Sequence, residues 1–235
     1  MKLLSSIAVA SLTLALAVPA LADAAAAPGE ARVSHAAEVH TSGELSRYIV
    51  GPAGHVRGFL LRDGTVVNLR PKAGDEMAKG VSVGQTVRVD GFGPMDNGKL
   101  VFRANVFGPH GQVATMPAWH EPAKTDEAGR ARKREEWKKE HADELAKLSP
   151  VATQGTVQTV LTGHHGAPYA VLLSNGVNVF LSRPMAKELA SRTVKTGDVI
   201  QVTGRGGTYP LGTSVLATSV TFADGTKLDA AMPQR

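Results

Sequence analysis

Histidine is the residue type in this sequence that could bind a transition metal, because the 235 residues include no cysteine. The histidines are His35, His40, His55, His110, His120, His141, His164 and His165. The adjacent pair His164 and His165 could chelate one ion only within a turn, and no other histidine stands at a ligand spacing. We therefore expect histidines kept in loops for their polarity and no resident metal, with metal carriage as an alternative.

The sequence motifs of common enzyme classes do not occur in the chain. There is no Gly-x-Ser-x-Gly segment, no Walker loop, no His-Glu-x-x-His segment and no Gly-x-Gly-x-x-Gly segment before a helix. The glycine-rich segments 91–93 and 204–207 precede predicted hairpin loops, where glycine permits the turn. The sequence predicts a protein that is not an enzyme and holds no cofactor.

Aromatic and arginine side chains are better candidates for a ligand site, because rings stack on flat groups and guanidinium groups bind anions. They recur in residues 57–70 and 169–180 and near residue 205. The candidate ligand-binding residues are Tyr169, Phe180, Tyr209, Arg205, His165, Arg57, Phe59 and Arg70. Their positions depend on the elements that carry them.

A secretory signal peptide is predicted at residues 1–22. A single lysine precedes an apolar run that ends at Val18, and Pro19 is followed by small residues that suit cleavage before Asp23. No later segment reaches about 18 consecutive apolar residues, the length that suggests a membrane span. We expect a periplasmic or secreted mature protein.

An internal repeat predicts two copies of one module. At an offset of 112 residues, Gly43 aligns with Gly155 and Leu60 aligns with Leu172. Further pairs, at an offset of 112 or 113 residues, are Gly51 and Gly163, Gly64 and Gly176, Gly84 and Gly197, Gly91 and Gly204, and Ala104 and Ala217. Glycines matched in order, with apolar pairs between them, indicate a duplication.

Each copy reads as five short strands with a helix between the third and the fourth. The first copy has strands at 44–50, 55–62, 65–70, 85–90 and 99–107 and a helix at 75–80. The second has strands at 156–161, 169–174, 177–182, 198–203 and 214–222 and a helix at 185–191. This is the element order of the OB-fold. We expect an all-β protein with two OB-fold-like five-stranded Greek-key barrels and a helical linker; another small barrel or sandwich is the alternative.

A signal peptide followed by such barrels resembles the bacterial OB-fold (BOF) proteins of the Gram-negative periplasm, and in particular their uncharacterised tandem members. The resemblance covers residues 43–107 and 155–222. Its motifs are structural: Leu60-Leu61-Arg62-Asp63-Gly64 and Leu172-Leu173-Ser174-Asn175-Gly176. The resemblance implies a periplasmic barrel protein, although this chain is duplicated and lacks the acidic character of the single-domain members.

The predicted domains follow from the repeat. The two domains are 42–109 and 151–229, the linker is 110–150, and unstructured ends are expected at 23–41 and 230–235. A charged helix is predicted at 126–148, with an apolar stripe formed by Trp137, His141, Leu145 and Leu148. The linker carries eight cations and eight anions. A solvated helix is therefore favoured over a polyanion contact.

Alternation along the strands predicts which side chains face outward. On the second strands, the predicted inward residues are Gly58, Leu60, Ala170 and Leu172, and the outward ones are Arg57, Phe59, Tyr169 and Val171. On the third strands, the predicted inward residues are Val67, Leu69, Val179 and Leu181, and the outward ones are Asn68, Arg70, Asn178 and Phe180. OB-folds bind ligands on this outer face.

The second copy would thus present Tyr169 and Phe180 beside the loop residues Tyr209, Arg205 and His165. If the two rings lie on a free surface, replacing both with alanine changes stability by only about 0.5 kcal/mol. The alternative is that the rings pack against the Trp137 helix or against the other copy.

Net charge is mild in both domains. Residues 41–109 carry nine cations and six anions, and residues 151–229 carry six and four. This surplus falls short of a dedicated polyanion groove. We expect a non-catalytic exported binding protein for a small molecule, a glycan or an envelope protein, with a role in envelope stress as one interpretation. Binding of single-stranded nucleic acid is the alternative.

Overall fold

The computed structural model describes residues 36–94, 99–115, 129, 131–132, 135–136, 143–144, 146–163, 167–192 and 194–230. The first barrel comprises β1 (Ala36–Val50), β2 (Val56–Leu61), β3 (Val66–Asn68), α1 (Pro71–Gly80), β4 (Thr86–Pro94), β5 (Leu100–Gly108) and β6 (Gly111–Ala114). The second barrel comprises β7 (Ser149–Thr162), β8 (Pro168–Leu173), β9 (Val177–Phe180), α2 (Arg183–Arg192), β10 (Val199–Tyr209), β11 (Gly212–Phe222) and β12 (Lys227–Asp229).

Five strands of each copy close into a barrel. In the first, β1 pairs with β2 and β4, β2 with β3, and β4 with β5, all antiparallel, and a parallel pairing of β3 with β5 closes the ring. The second copy has the same pairings among β7 to β11. Each helix lies between the third and fourth strands in chain order. The predicted fold class, two OB-fold-like barrels from a duplication, is confirmed.

Each barrel has its own apolar core. Phe59 and Leu61 of β2 lie in the first core, together with Met77 of α1. Leu173 of β8 and Leu189 of α2 lie in the second. Because the buried residues of each core all come from one barrel, each copy forms its own packing unit.

Strand pairing extends beyond the predicted element bounds. β1 begins at Ala36 because residues 36–44 pair in continuous register with β4, so the expected unstructured segment 23–41 ends in a strand. The predicted linker 110–150 contains β6 and the start of β7. β6 pairs with β5 as β12 pairs with β11, and each barrel therefore carries a sixth strand that sequence alternation missed.

In the second strand of each barrel, β2 and β8, the side chains that point into the core are not the predicted ones. Phe59 and Val171, predicted to point outward, are 0% and 1% exposed and belong to the barrel cores. Three residues that were predicted to point inward lie instead in a separate apolar cluster outside those cores: Leu60, Ala170 and Leu172. On the third strands the prediction is confirmed for Val67 and Val179, which are core residues.

A β-bulge causes the reversal. In the first barrel Ile49 pairs with Gly58 whereas Val50 pairs with Val56, so Arg57 is an extra residue in β2. The second barrel has the same irregularity, with Tyr169 as the extra residue in β8. A bulge leaves one residue unpaired and resets which side chains face the core. Simple alternation therefore failed beyond these two positions.

Both barrels lie within one compact unit, Ser34–Arg235. Eight described residues of the predicted linker helix 126–148 are helical, whereas Lys147 lies in a turn and Leu148 lies outside the helix. The helical ones are Gly129, Ala131, Arg132, Glu135, Glu136, Asp143, Glu144 and Ala146. Trp137, His141 and Leu145 of its predicted apolar stripe lie outside the described residues. Among the residues that the structure describes, no helix has the length and apolar character that a membrane crossing requires.

Candidate functional site

The faces on which OB-folds usually bind ligands are packed against each other. A third apolar cluster joins outward side chains of the first barrel to outward side chains of the second. Its buried members are Ile49, Leu60, Val66, Leu100, Leu161, Ala170 and Leu172. Because a small ligand needs an accessible face, this surface works as an interface between the barrels and not as an open platform.

Tyr169 and Phe180 lie at the border of this interface, packed against the third cluster. Their ring centroids are 6.3 Å apart and the ring planes are tilted by 44°. The Tyr169 hydroxyl donates a hydrogen bond of 2.6 Å to Oδ1 of Asn68 in the first barrel. Burial raises the pKa of Tyr169 to about 12. The two rings point away from their own barrel core, and they pack against the other copy, as the alternative interpretation predicted.

Arg47 of β1 is a polar anchor across the same interface. Its guanidinium donates to the carbonyl oxygens of Leu173 and Gly176, at 3.0 and 2.6 Å. It also donates to Oδ1 of Asn178 at 2.9 Å and to Oε1 of Gln158 at 3.3 Å. Burial lowers the pKa of Arg47. No sequence signal marks this residue, because its counterpart in the second copy by the repeat alignment is a threonine.

Tyr209 joins the barrels at a second point. Its hydroxyl donates a hydrogen bond to the carbonyl oxygen of Pro52, in the loop between β1 and β2. Gly54 of that loop has φ +90°, and a Cβ there would lie 2.8 Å from the Tyr209 ring. A glycine is required for the turn and for the close approach of the ring. Tyr209 thus holds the β1–β2 loop of the first barrel.

The remaining candidate residues do not gather on one surface. Phe59 is enclosed in the first core and therefore cannot touch a ligand on the outer face. Arg205 is an exposed residue of β10. Arg70 lies immediately before α1, where it lines a groove between α1 and β6. His165 lies outside the described residues.

A cleft beside the β1–β2 loop gathers polar groups of several elements. Its volume is about 330 Å³, and it is lined by Gly51, Pro52, Ala53, His55, Arg57, Pro71 and Glu144. The bulge places Arg57 there, and the linker helix supplies Glu144. The volume lies at the small end of the range for small-molecule sites, roughly 300–1,000 Å³.

The polar groups of this cleft are held by neighbouring contacts. His55 Nδ1 lies 2.8 Å from Asp75 Oδ2, and the other oxygen of Asp75 accepts a hydrogen bond from the Val56 amide at 2.8 Å. Arg57 makes no ion pair with any residue that the structure describes. The cleft therefore offers a guanidinium, a carboxylate and a fixed imidazole to a polar ligand.

Histidine does not build a metal site in the described part of the chain. His40 lies 3.0 Å from Asp90, and His55 bonds only Asp75 among the described carboxylates. No group of three or more His, Asp or Glu side chains among the described residues could hold a metal ion. His35, His120, His141, His164 and His165 lie outside the described residues.

Comparison with known proteins gives no family for the chain. No protein-family model and no curated protein matches it. One solved structure that matches is a deletion mutant of the single-stranded DNA binding protein from Thermus aquaticus, which is 15% identical, with a TM-score of 0.25. The match covers 84% of this chain and 97% of that chain. At that TM-score the similarity carries no argument about ligand or function.

Proposed function

We propose that the chain is an exported, non-catalytic binding protein in which two OB-fold-like barrels form one body and a small polar ligand binds beside Arg57. The observation that carries the proposal is the cleft of about 330 Å³ at the β1–β2 loop. OB-folds commonly use this loop to contact ligands. Here Tyr209 of the second barrel holds the loop, which supports a preformed site.

The lining of the cleft favours a sugar-sized polar molecule. A guanidinium, a carboxylate and an imidazole can bind hydroxyl groups in several directions, which suits a glycan fragment or a similar small molecule. Tyr169 of β8 and Phe180 of β9, on which a single-stranded nucleic acid would stack, pack against the apolar cluster between the barrels. A small polar ligand therefore fits the accessible surface better than a nucleic acid does.

The Arg57→Gln variant tests the cleft. Small molecules that copurify with the mature protein would be identified by mass spectrometry, and their retention compared between variants. We expect Arg57→Gln to weaken binding of the copurifying molecule about tenfold or more, because a charge-assisted hydrogen bond contributes roughly 1.5–3 kcal/mol.

Arg62→Gln is the matched control, because Arg62 is exposed and pairs with Glu44 outside the cleft. It should retain the ligand as the unchanged protein does. Equal loss in both variants, or a ligand retained in full by Arg57→Gln, would contradict the assignment of the cleft.

Export is tested by the amino terminus of the mature protein. We expect protein recovered from the cell envelope to begin at or near Asp23, because the predicted cleavage follows the small residues after Pro19. Intact-mass measurement and amino-terminal sequencing check this. Recovery of a chain that retains Met1 would refute export.

A further inference from the structure

We propose that the groove between α1 and β6 of the first barrel is a separate binding site for a small molecule that carries an oxyanion. The groove has a volume of about 530 Å³. Its cations are Arg70 and Lys72, and Ala73, Val113 and Ala114 form its apolar part. A cationic rim around a small apolar floor suits a compact ligand with one charged end.

The groove carries positive charge that the described residues do not balance by ion pairs. Neither Arg70 nor Lys72 forms an ion pair with any of the described residues. Glu76 also lines the groove, but Lys79 Nζ lies 2.8 Å from its Oε1. That hydrogen bond raises the pKa of Lys79, so the lysine stays charged and offsets Glu76. An anion entering the groove would meet two cations and one carboxylate that is already paired.

Helix α1 adds to this positive character. It begins at Pro71, and no acidic side chain lies in its first turn. The amino-terminal end of a helix carries partial positive charge and favours anions. Arg70 is the residue before the helix and Lys72 lies in its first turn. The partial charge of the helix end and the charges of the two side chains therefore both favour an anion.

A second hollow extends the groove. It has a volume of about 210 Å³, shares Arg70, Ala73 and Thr115 with the groove, and adds Arg103 and Phe102. Arg103 has φ +50°, the left-handed conformation that side chains other than glycine rarely adopt. Such strain often accompanies binding sites. The hollow therefore places a third arginine beside the space that an anion would enter.

The second barrel has the same fold but fewer cations at this place, where Arg183 is the first residue of α2. Ser182 and Pro184 stand at the positions of Arg70 and Lys72 by the repeat alignment. Asp229 of β12 takes the place of Ala114, because each pairs with the corresponding residue of the preceding strand. Since one copy folds with a single cation at the start of its helix, packing does not require the pair Arg70 and Lys72 in the other, and a ligand explains that pair better.

The size and lining of the groove select the ligand class. The larger volume corresponds to a sugar-sized molecule, within the roughly 300–1,000 Å³ of small-molecule sites. Among the described lining residues, one aromatic ring, the half-buried Phe102, lines the smaller hollow, and none lines the groove itself. Single-stranded nucleic acid needs successive stacking rings. The shared chemistry is a phosphate, sulfate or carboxylate group on a small polar body.

Titration of the whole mature protein with a matched set of sugars tests the proposal. The probes are glucose 6-phosphate, glucose 6-sulfate, glucuronate and uncharged glucose, followed by calorimetry and by amide shifts in nuclear magnetic resonance. We expect the charged sugars to bind and to move the amide signals of Lys72, Ala73 and Thr115. The order among the three anions identifies the preferred group. Binding of glucose as tight as that of the anions would overturn the proposal.

The Arg70→Gln/Lys72→Gln double variant should weaken binding of the preferred anion about tenfold or more, since it removes two charge-assisted contacts. Lys187→Gln/Lys195→Gln is the matched control, because it removes the same charge from exposed positions of the second barrel. The control should bind as the unchanged protein does. Circular dichroism and thermal melting of both variants show whether they remain folded.

Three other results would overturn the assignment. Equal weakening by both double variants would indicate a diffuse charge effect. If Arg57→Gln abolished anion binding and Arg70→Gln/Lys72→Gln left it intact, the anion would bind in the cleft at the β1–β2 loop and not in the groove. Tighter binding of oligothymidylate than of any sugar, with a steep decline as salt rises, would indicate a nucleic acid instead.

Discussion

Replacing Tyr169 and Phe180 together with alanine should lower the free energy of unfolding by about 4 kcal/mol. A fully buried phenylalanine contributes roughly 3–5 kcal/mol over alanine, and each of these half-buried rings should contribute about half of that. The loss has a polar part as well, because Asn68 Oδ1 would lose the Tyr169 hydroxyl. Urea unfolding, followed by fluorescence and circular dichroism, measures the change.

The expected loss distinguishes an interface from a free surface. A double variant that stays within about 0.5 kcal/mol of the unchanged protein would mean that the rings are exposed in solution. Val83→Ala/Leu211→Ala is the control, because those side chains are 57% and 39% exposed. It should change stability little. Tyr169→Phe isolates the hydroxyl and should cost about 1 kcal/mol.

The sequence was sufficient to predict the strand order and the duplication, because those features are local. Hairpin turns such as Asp63-Gly64 and the matched glycines each report on a few neighbouring residues. The parallel closure of β3 against β5 then follows from the element order of the OB-fold. The sixth strands, β6 and β12, have four and three residues and were too short to show alternation.

The same reasoning could not predict which side chains of β2 and β8 point into the barrel cores. Arg57 and Tyr169 are the bulge residues of the two copies, and nothing in their residue types distinguishes a bulge from a regular outward position. Both copies contain runs such as Phe59-Leu60-Leu61, apolar on both sides of the strand. Such a run is expected when both faces are buried. The continuous apolar character was the available signal that the outer face packs against another element.

The candidate site could be predicted only in part, because contacts between the copies assemble it. Arg57 and Arg70 were identified from residue type, but they line different hollows on the first barrel. Glu144 reaches the cleft from the linker, and Tyr209 reaches its loop from the second barrel. The positions of Glu144 and Tyr209 depend on how the barrels pack against each other. The hydrophobic pattern of a single segment contains no information about that packing.

Arg47→Met should lower the free energy of unfolding by about 3 kcal/mol, although it keeps a side chain of similar length. The substitution removes the donors for the Leu173 carbonyl oxygen and for Oδ1 of Asn178, which is fully buried. A buried polar group left without its partner costs roughly 1–3 kcal/mol. Arg62→Met is the control and should cost less than about 1 kcal/mol, because exposed ion pairs contribute little.

A double-mutant cycle then separates the contact across the interface from general damage. Arg47→Met, Asn178→Ala and the combined variant should show a coupling energy of about 1 kcal/mol or more, since residues in one hydrogen-bond network do not add. Arg47 lies in the first barrel and Asn178 in the second, so this coupling can arise only if the barrels pack as described. Additive losses within about 0.5 kcal/mol would show that the two residues do not meet in solution. In that case the outer faces of β2 and β3 and of β8 and β9 would be free, and the ligand site would have to be sought there.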